Sequence, residues 1–181
     1  MPERMRKLVA NLGELINQLS DAIMNLLTIS IMKNLSGSIS PNHLGVILSK
    51  ICELTDFHYG EIWLPNPENN FLELSPISHV VVGNHQDDLE NFRLCSQDFI
   101  LSKGEGLPGR VWLYKQPEWM LDISAESERY FLRNQIAKAF GVRTGFAVPR
   151  IIEEKVFMIL AFFACDIRFY SPEYLALAKF L

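Results

Sequence analysis

The stretch KVFMILAFFA, Lys155 to Ala164, carries no polar side chain after its first residue. An amphipathic strand would alternate, so a run this continuous reads as a strand buried on both faces in the middle of a sheet. Its neighbours follow from the flanking pattern. Thr144–Ile151 is a second strand, joined to the first through the solvated turn at Ile152-Glu153-Glu154. Tyr59–Leu64 and Phe71–Val82 are rich in aromatic and branched residues and flank a turn-forming PNPENN segment, which makes them a hairpin. Pro117–Leu121 adds a further short strand.

Helices fill the remaining space. Ser40 caps a helix with Pro41 at its first position, and Leu44, Ile47, Leu48, Ile51 and Leu54 form its apolar stripe as far as Asp56. Leu89, Phe92 and Phe99 suggest a helix over the core near Asp87–Cys95. Ser127–Phe140 has an amphipathic pattern closed by Gly141. Ser171-Pro172-Glu173 opens a last helix that has no stop signal before Leu181. Together these elements make an α+β domain on one mixed or antiparallel sheet.

The first block of the chain has a different texture. Leu8, Leu12, Leu15, Leu19, Ala22, Leu26 and Ile29 alternate in steps of four and three, the spacing of a coiled-coil or bundle seam. The expectation is a long amphipathic helix over residues 1–39, with the folded domain over 40–181. The seam can lie on the domain's own sheet or pair with a second copy. Pairing into a homodimer through Leu8, Leu12, Leu15, Leu19 and Leu26 is the reading taken here, because the helix is longer than one small domain needs.

Charge narrows the partners. The net charge is −4 with no Lys/Arg-rich block, so nucleic acid is not an expected partner. The three cysteines form no CxxC pair, which suggests neither a zinc site nor a disulfide framework. Cys52 and Cys165 sit among apolar residues as small buried thiols. The N-terminal apolar run is broken by Asn, Glu and Gln, so neither a signal peptide nor membrane insertion is expected, and the expected location is cytoplasmic. His43, His58, His79 and His85 show no metal-ligand spacing and read as loop or surface residues. Gly104-Glu-Gly-Leu-Pro-Gly109 matches GxGxxG. However, the preceding Phe99–Lys103 is a poor strand, and Pro108 removes an N–H where a phosphate needs donors. The glycines therefore read as tight turns leading into a helix, with Val111 and Trp112 packed inward.

Four ordered stretches resemble the GAF family. They are GEIWLP (Gly60 to Pro65), GEGLPGRVW (Gly104 to Trp112) with the QPEW strand entry and Asp122, FGVRTGFAVP (Phe140 to Pro149), and RFYSPEYLALAKFL (Arg168 to Leu181). The resemblance covers about four-fifths of the chain and implies a PAS-like central antiparallel sheet, helices behind it and a ligand pocket in front. It also implies a sensory input module of a signal-transduction protein, such as a two-component histidine kinase or a cyclase, that binds a small molecule without catalysing a reaction. Trp112, Asp122, Phe131, Phe146 and Val148 stand where such domains build the ligand-facing wall, and Arg133 and Arg143 can pair with Asp122 or with an anionic ligand. Asp122 can alternatively cap a helix over Ser124–Glu128.

No cofactor is expected. Relatives that reduce free methionine sulfoxide carry a cysteine in the Gly-rich segment, where this chain has Pro108. Relatives that hold bilin carry a cysteine before the FGVRTG segment, where this chain has Arg129–Arg133. The signature of the cyclic-nucleotide relatives is echoed only by Phe169 and Glu173. The alternative to ligand sensing is a degenerate domain whose pocket is filled by its own side chains and which serves dimerisation and relay alone. A small GAF-type enzyme is the third possibility.

Overall fold

The computed structural model describes residues 41–68, 70–170 and Tyr174. The heptad segment 1–39 lies outside the described residues, as does the expected closing helix apart from Tyr174. Pro41 opens α1 (Pro41–Thr55), which buries Leu44, Ile47, Leu48 and Ile51 as the stripe requires. Leu54, in the last turn, is exposed instead, and Cys52 takes a buried place on that helix. β1 (Tyr59–Pro65) and β2 (Phe71–Val80) form the expected hairpin. The Asn66 carboxamide oxygen tightens its turn by accepting the backbone N–H groups of Asn70 and Phe71.

The chain continues through α2 (Gln86–Ser96), β3 (Ile100–Ser102), α3 (Gly106–Tyr114), β4 (Glu118–Met120), α4 (Asn134–Ala139), β5 (Thr144–Ile152) and β6 (Lys155–Ala164). The six described strands form one antiparallel sheet in the order β3-β2-β1-β6-β5-β4. β6 lies between β1 and β5, and from Met158 onward both of its faces are buried. The uninterrupted apolar run is thus explained by its central position.

Two expectations change. The poor strand at Phe99–Lys103 does pair, as the three-residue edge strand β3 against Phe71–Glu73. The helix expected over Ser127–Phe140 shrinks to Asn134–Ala139. Upstream of it, the Ser127 carbonyl accepts the N–H groups of both Tyr130 and Phe131, and the Asn134 carboxamide donates to the Glu126 carbonyl. The Ser127 bonds close one isolated turn, and the Asn134 carboxamide supplies a side-chain bond of the kind that competes with helix. Gly141 closes α4 as expected, with the Val142 N–H bonding the Ala137 carbonyl across the cap.

The sheet has two covered faces. On the back, α1 packs against Ile62, Phe146, Val148, Met158, Leu160 and Phe162. On the front, α2, α3 and α4 cover Tyr59, Trp63, Ala147, Ala161 and Phe163. The Gly-rich motif turns the chain into α3. Gly104 and Gly106 adopt positive φ values of 90° and 59°, and a Cβ on Gly109 would overlap the Ser102 carbonyl. Among the described residues, no helix is long and apolar enough to cross a membrane.

Where α1 meets β1, His58 sits in the connecting loop, as expected, and is held there through both ring nitrogens. Its Nδ1 accepts the Cys165 N–H at 3.1 Å and its Nε2 lies 3.4 Å from Arg168 Nη2. The His85 ring is 5.5 Å away, and Asp166 and Asp56 also face it. Burial, followed by the Arg168 charge, lowers the His58 pKa, and burial lowers that of His79. Both imidazoles therefore take up a proton more readily in the unfolded chain, near the usual value of about 6.5. Their contribution to stability is complete above that pH and is lost as the pH falls through the lower folded values. Urea midpoints measured downward from pH 7.5 should fall, and His58→Gln should flatten the decline. A midpoint that rises on acidification would contradict this assignment.

Candidate functional site

Alternation along β1 places Tyr59, Glu61 and Trp63 on the front face. Glu61 is therefore a carboxylate inside the core, 0 % exposed. Its partner comes from the far side of the chain. The segment 121–133 crosses the front of the sheet without regular structure, and at its end Arg133, 2 % exposed, turns inward. Arg133 Nη2 and Nη1 donate to Glu61 Oε1 and Oε2 at 2.7 and 3.1 Å, and Nη1 also donates to Ser96 Oγ at 3.0 Å. The Trp63 indole N–H donates to Glu61 Oε1 at 2.7 Å. The Ser96 hydroxyl in turn donates to the Phe92 carbonyl. Both charges are thus paired in fork geometry and bonded further, which an ion pair at this depth requires.

Small residues on the front of β5 and β6 make room for the side chains packed over the sheet. Gly145, Ala147 and Ala161 lie on the front face, where a Cβ at Gly145 would press on Ile123 and Leu107. The Tyr59 hydroxyl, fully buried beside the pair, has no hydrogen-bond partner among the described residues. Burial, reinforced by the Glu61 charge, pushes its pKa up, so it stays a neutral phenol.

The segment that delivers Arg133 is tied down at both ends. Arg143 grips Asp122 through Nε and Nη2 at 3.0 and 2.6 Å, and this bond holds the Asp122 carboxyl below its usual range. Asp122 Oδ1 also accepts the Ser124 N–H and hydroxyl. Asp122 therefore caps a turn, and no helix follows over Ser124–Glu128. Further along, Arg110 lies over the Tyr130 ring at 3.8 Å, donates to the Tyr130 carbonyl, and pairs with Glu118 at 2.7 Å.

The predicted site residues separate into two groups. Trp112, Phe131 and Arg133 are buried together in the front cluster, and Asp122 anchors the segment above them. Phe146 and Val148 belong to the back cluster against α1, where Phe146 stacks on Phe57 at 6.2 Å. Side chains alternate along a strand, so Phe146 and Val148 lie on the face opposite Ala147, away from Trp112 and Phe131. Arg133 pairs with Glu61 rather than with Asp122. Glu61 and Ser96 were not singled out in the sequence. The signal for Glu61 was available: a carboxylate at the inward position between Tyr59 and Trp63.

No family model matches the chain. Two Arabidopsis thaliana proteins match a short stretch of it: Transcription factor bHLH13, 36 % identical over 62 residues, and Transcription factor GLABRA 3, 31 % identical over 62 residues. Each match spans 34 % of this chain but only 10 % of the relative. Solved structures give broader coverage. The GAF domain of a Coxiella burnetii phosphoenolpyruvate-protein phosphotransferase superposes with a TM-score of 0.58 at 18 % identity, covering 86 % of each chain. The A. aeolicus nlh2 GAF domain in an inactive state gives 0.57 at 18 %, covering 88 % of this chain and 83 % of that one. This chain has the GAF fold. The same GAF fold relates it to a Neisseria meningitidis free methionine-R-sulfoxide reductase, with a TM-score of 0.55 at 15 % identity over 77 % of this chain and 74 % of the enzyme. Identities this low establish the GAF fold alone.

Proposed function

We propose that this chain is a non-catalytic regulatory module of a larger protein, with the front of its GAF sheet closed by its own Arg133–Glu61 pair. The observation that carries this reading is the position of Arg133: the side chain is buried against Glu61 on the front of the sheet, the side on which the GAF resemblance implies a ligand pocket. In this proposal two copies pair through Leu8, Leu12, Leu15, Leu19 and Leu26, and the folded domain relays a conformational state between its flanking segments.

Three observations support regulation over catalysis. Pro108 occupies the Gly-rich position where the reductase relatives carry cysteine. Burial pushes the Cys52 thiol up to about 12 and the Cys165 thiol up to about 11, which keeps both protonated and poorly nucleophilic. Finally, the two sequence relatives are transcription factors, although the stretch they share is too short to transfer their partners.

The test is a thermal-shift screen of the intact chain against metabolites, cyclic nucleotides and simple anions, alongside sedimentation of the wild type and an L15E/L19E variant. A ligand that binds only the folded state raises its stability. The expected result is no saturable stabilisation by any compound, together with a dimer that the double substitution dissociates. A metabolite that shifts the wild-type Tm would instead favour a ligand-reading input domain of the histidine-kinase or cyclase type. A dimer unaffected by the double substitution would remove residues 1–39 as the pairing surface.

A further inference from the structure

The surroundings of the Arg133 guanidinium form a complete recognition site for a planar cation. Its carbon lies 5.2 Å from the Trp63 ring centroid, 5.2 Å from Phe92, 5.4 Å from Phe131 and 5.1 Å from Phe163. Four aromatic rings at this range surround a charge that their negative faces attract. The Glu61 carboxylate supplies two parallel acceptors in the plane of the fork, and Ser96 Oγ accepts one N–H more. Carboxylate, indole and hydroxyl belong to β1 and α2, whereas the guanidinium arrives on the irregular segment 121–133. Most of the receptor therefore sits on regular elements, and its occupant is delivered by a tether.

We propose that the front of this GAF fold is a guanidinium-binding site, with Arg133 as its resident occupant. A small guanidinium compound is the class of ligand that can take its place when the tether withdraws. The inference rests on the reading of Arg133 as an internal plug, and it adds what that reading leaves open: the chemistry the cavity selects. An anion would meet the buried Glu61 carboxylate and be repelled. An alkylammonium would match the charge and the rings but would not present parallel N–H groups to both carboxylate oxygens.

Arg133→Ala removes the occupant and leaves the receptor. The intact R133A chain is melted in low-millimolar guanidinium chloride, with sodium chloride and tetramethylammonium chloride at equal ionic strength as references. The expected result is a saturable rise of several degrees in Tm with guanidinium alone, no rise in the wild type, and none in an E61Q/R133A chain. If R133A does not fold unaided, the same salts are added during refolding from urea, and near-UV circular dichroism reports whether guanidinium restores native packing. No saturable rise, an equal rise in E61Q/R133A, or a chain that stays unfolded with guanidinium present would overturn the proposal. A rise in the wild-type chain as well would support the site while sinking the reading that Arg133 keeps it full.

Discussion

Arg133→Met is expected to cost the chain about 3–5 kcal/mol, because it leaves the Glu61 carboxylate buried without its cation. Both groups are almost wholly removed from water, with side-chain exposures of 1 % and 0 %, so solvent cannot screen the unpaired charge. For a chain of this size the loss corresponds to a fall in Tm of about 6–20 °C. Methionine supplies apolar volume but no donor, so Glu61 would keep only the Trp63 indole N–H. The informative companion is the double substitution E61L/R133M, which replaces the pair by apolar side chains. A well-packed apolar replacement for a buried ion pair is often neutral or stabilising. The double variant should therefore recover most of what the single one loses, even though it carries more changes. Urea midpoints with unchanged m-values would establish this order. If E61L/R133M were no more stable than R133M, the cost would lie in lost shape rather than in a stranded charge.

The fold was legible because its strongest signals are local. The continuous run Val156–Ala164 can only be a central strand, and Tyr59–Pro65 and Phe71–Val80 are bounded by turn residues whose chemistry is explicit. Short edge strands gave less. β3 has three residues and is held by pairing with Phe71–Glu73, a contact that no local pattern reveals. The site was legible only in part. Trp112 and Phe131 share the front cluster and Arg133 lies against Phe131, but the partner of Arg133 lies 72 positions away, on β1. Nothing in the spacing of Glu61 and Arg133 connects them. Their meeting depends on where segment 121–133 crosses the sheet, and that path is set by the Arg143–Asp122 and Arg110–Glu118 ties. The separation of Phe146 and Val148 from the front cluster has a different origin. β5 is buried on both sides through its first five residues, so hydrophobicity cannot tell its front from its back.

Gly109→Ala should be the most damaging of the single-methyl additions among the described glycines, at about 1–3 kcal/mol and toward the upper end of that range. The new Cβ would overlap the Ser102 carbonyl oxygen and touch the Gly104 backbone behind it. Neither can retreat, because the turn is closed on itself. Gly104 N–H bonds the Gly109 carbonyl at 2.8 Å, Gly109 N–H bonds the Glu105 carbonyl at 3.0 Å, and Ser102 N–H bonds the Glu105 carboxylate at 2.8 Å. The strain would pass directly to Arg110, and through it to Glu118 and the Tyr130 carbonyl that steady the Arg133 segment. Gly106→Ala would place its Cβ in ordinary contact with Leu101 and Pro108 but holds φ at 59°, so it should cost about 1 kcal/mol. Gly45→Ala, inside α1 with nothing within 4 Å of the added carbon, should stabilise by about 0.5–1 kcal/mol. Urea midpoints ordered G109A, G106A, wild type, G45A from lowest to highest would make the GxGxxG run a steric device for launching α3. A G109A chain of wild-type stability would contradict the backbone geometry and return the motif to the class of ligand-binding loops.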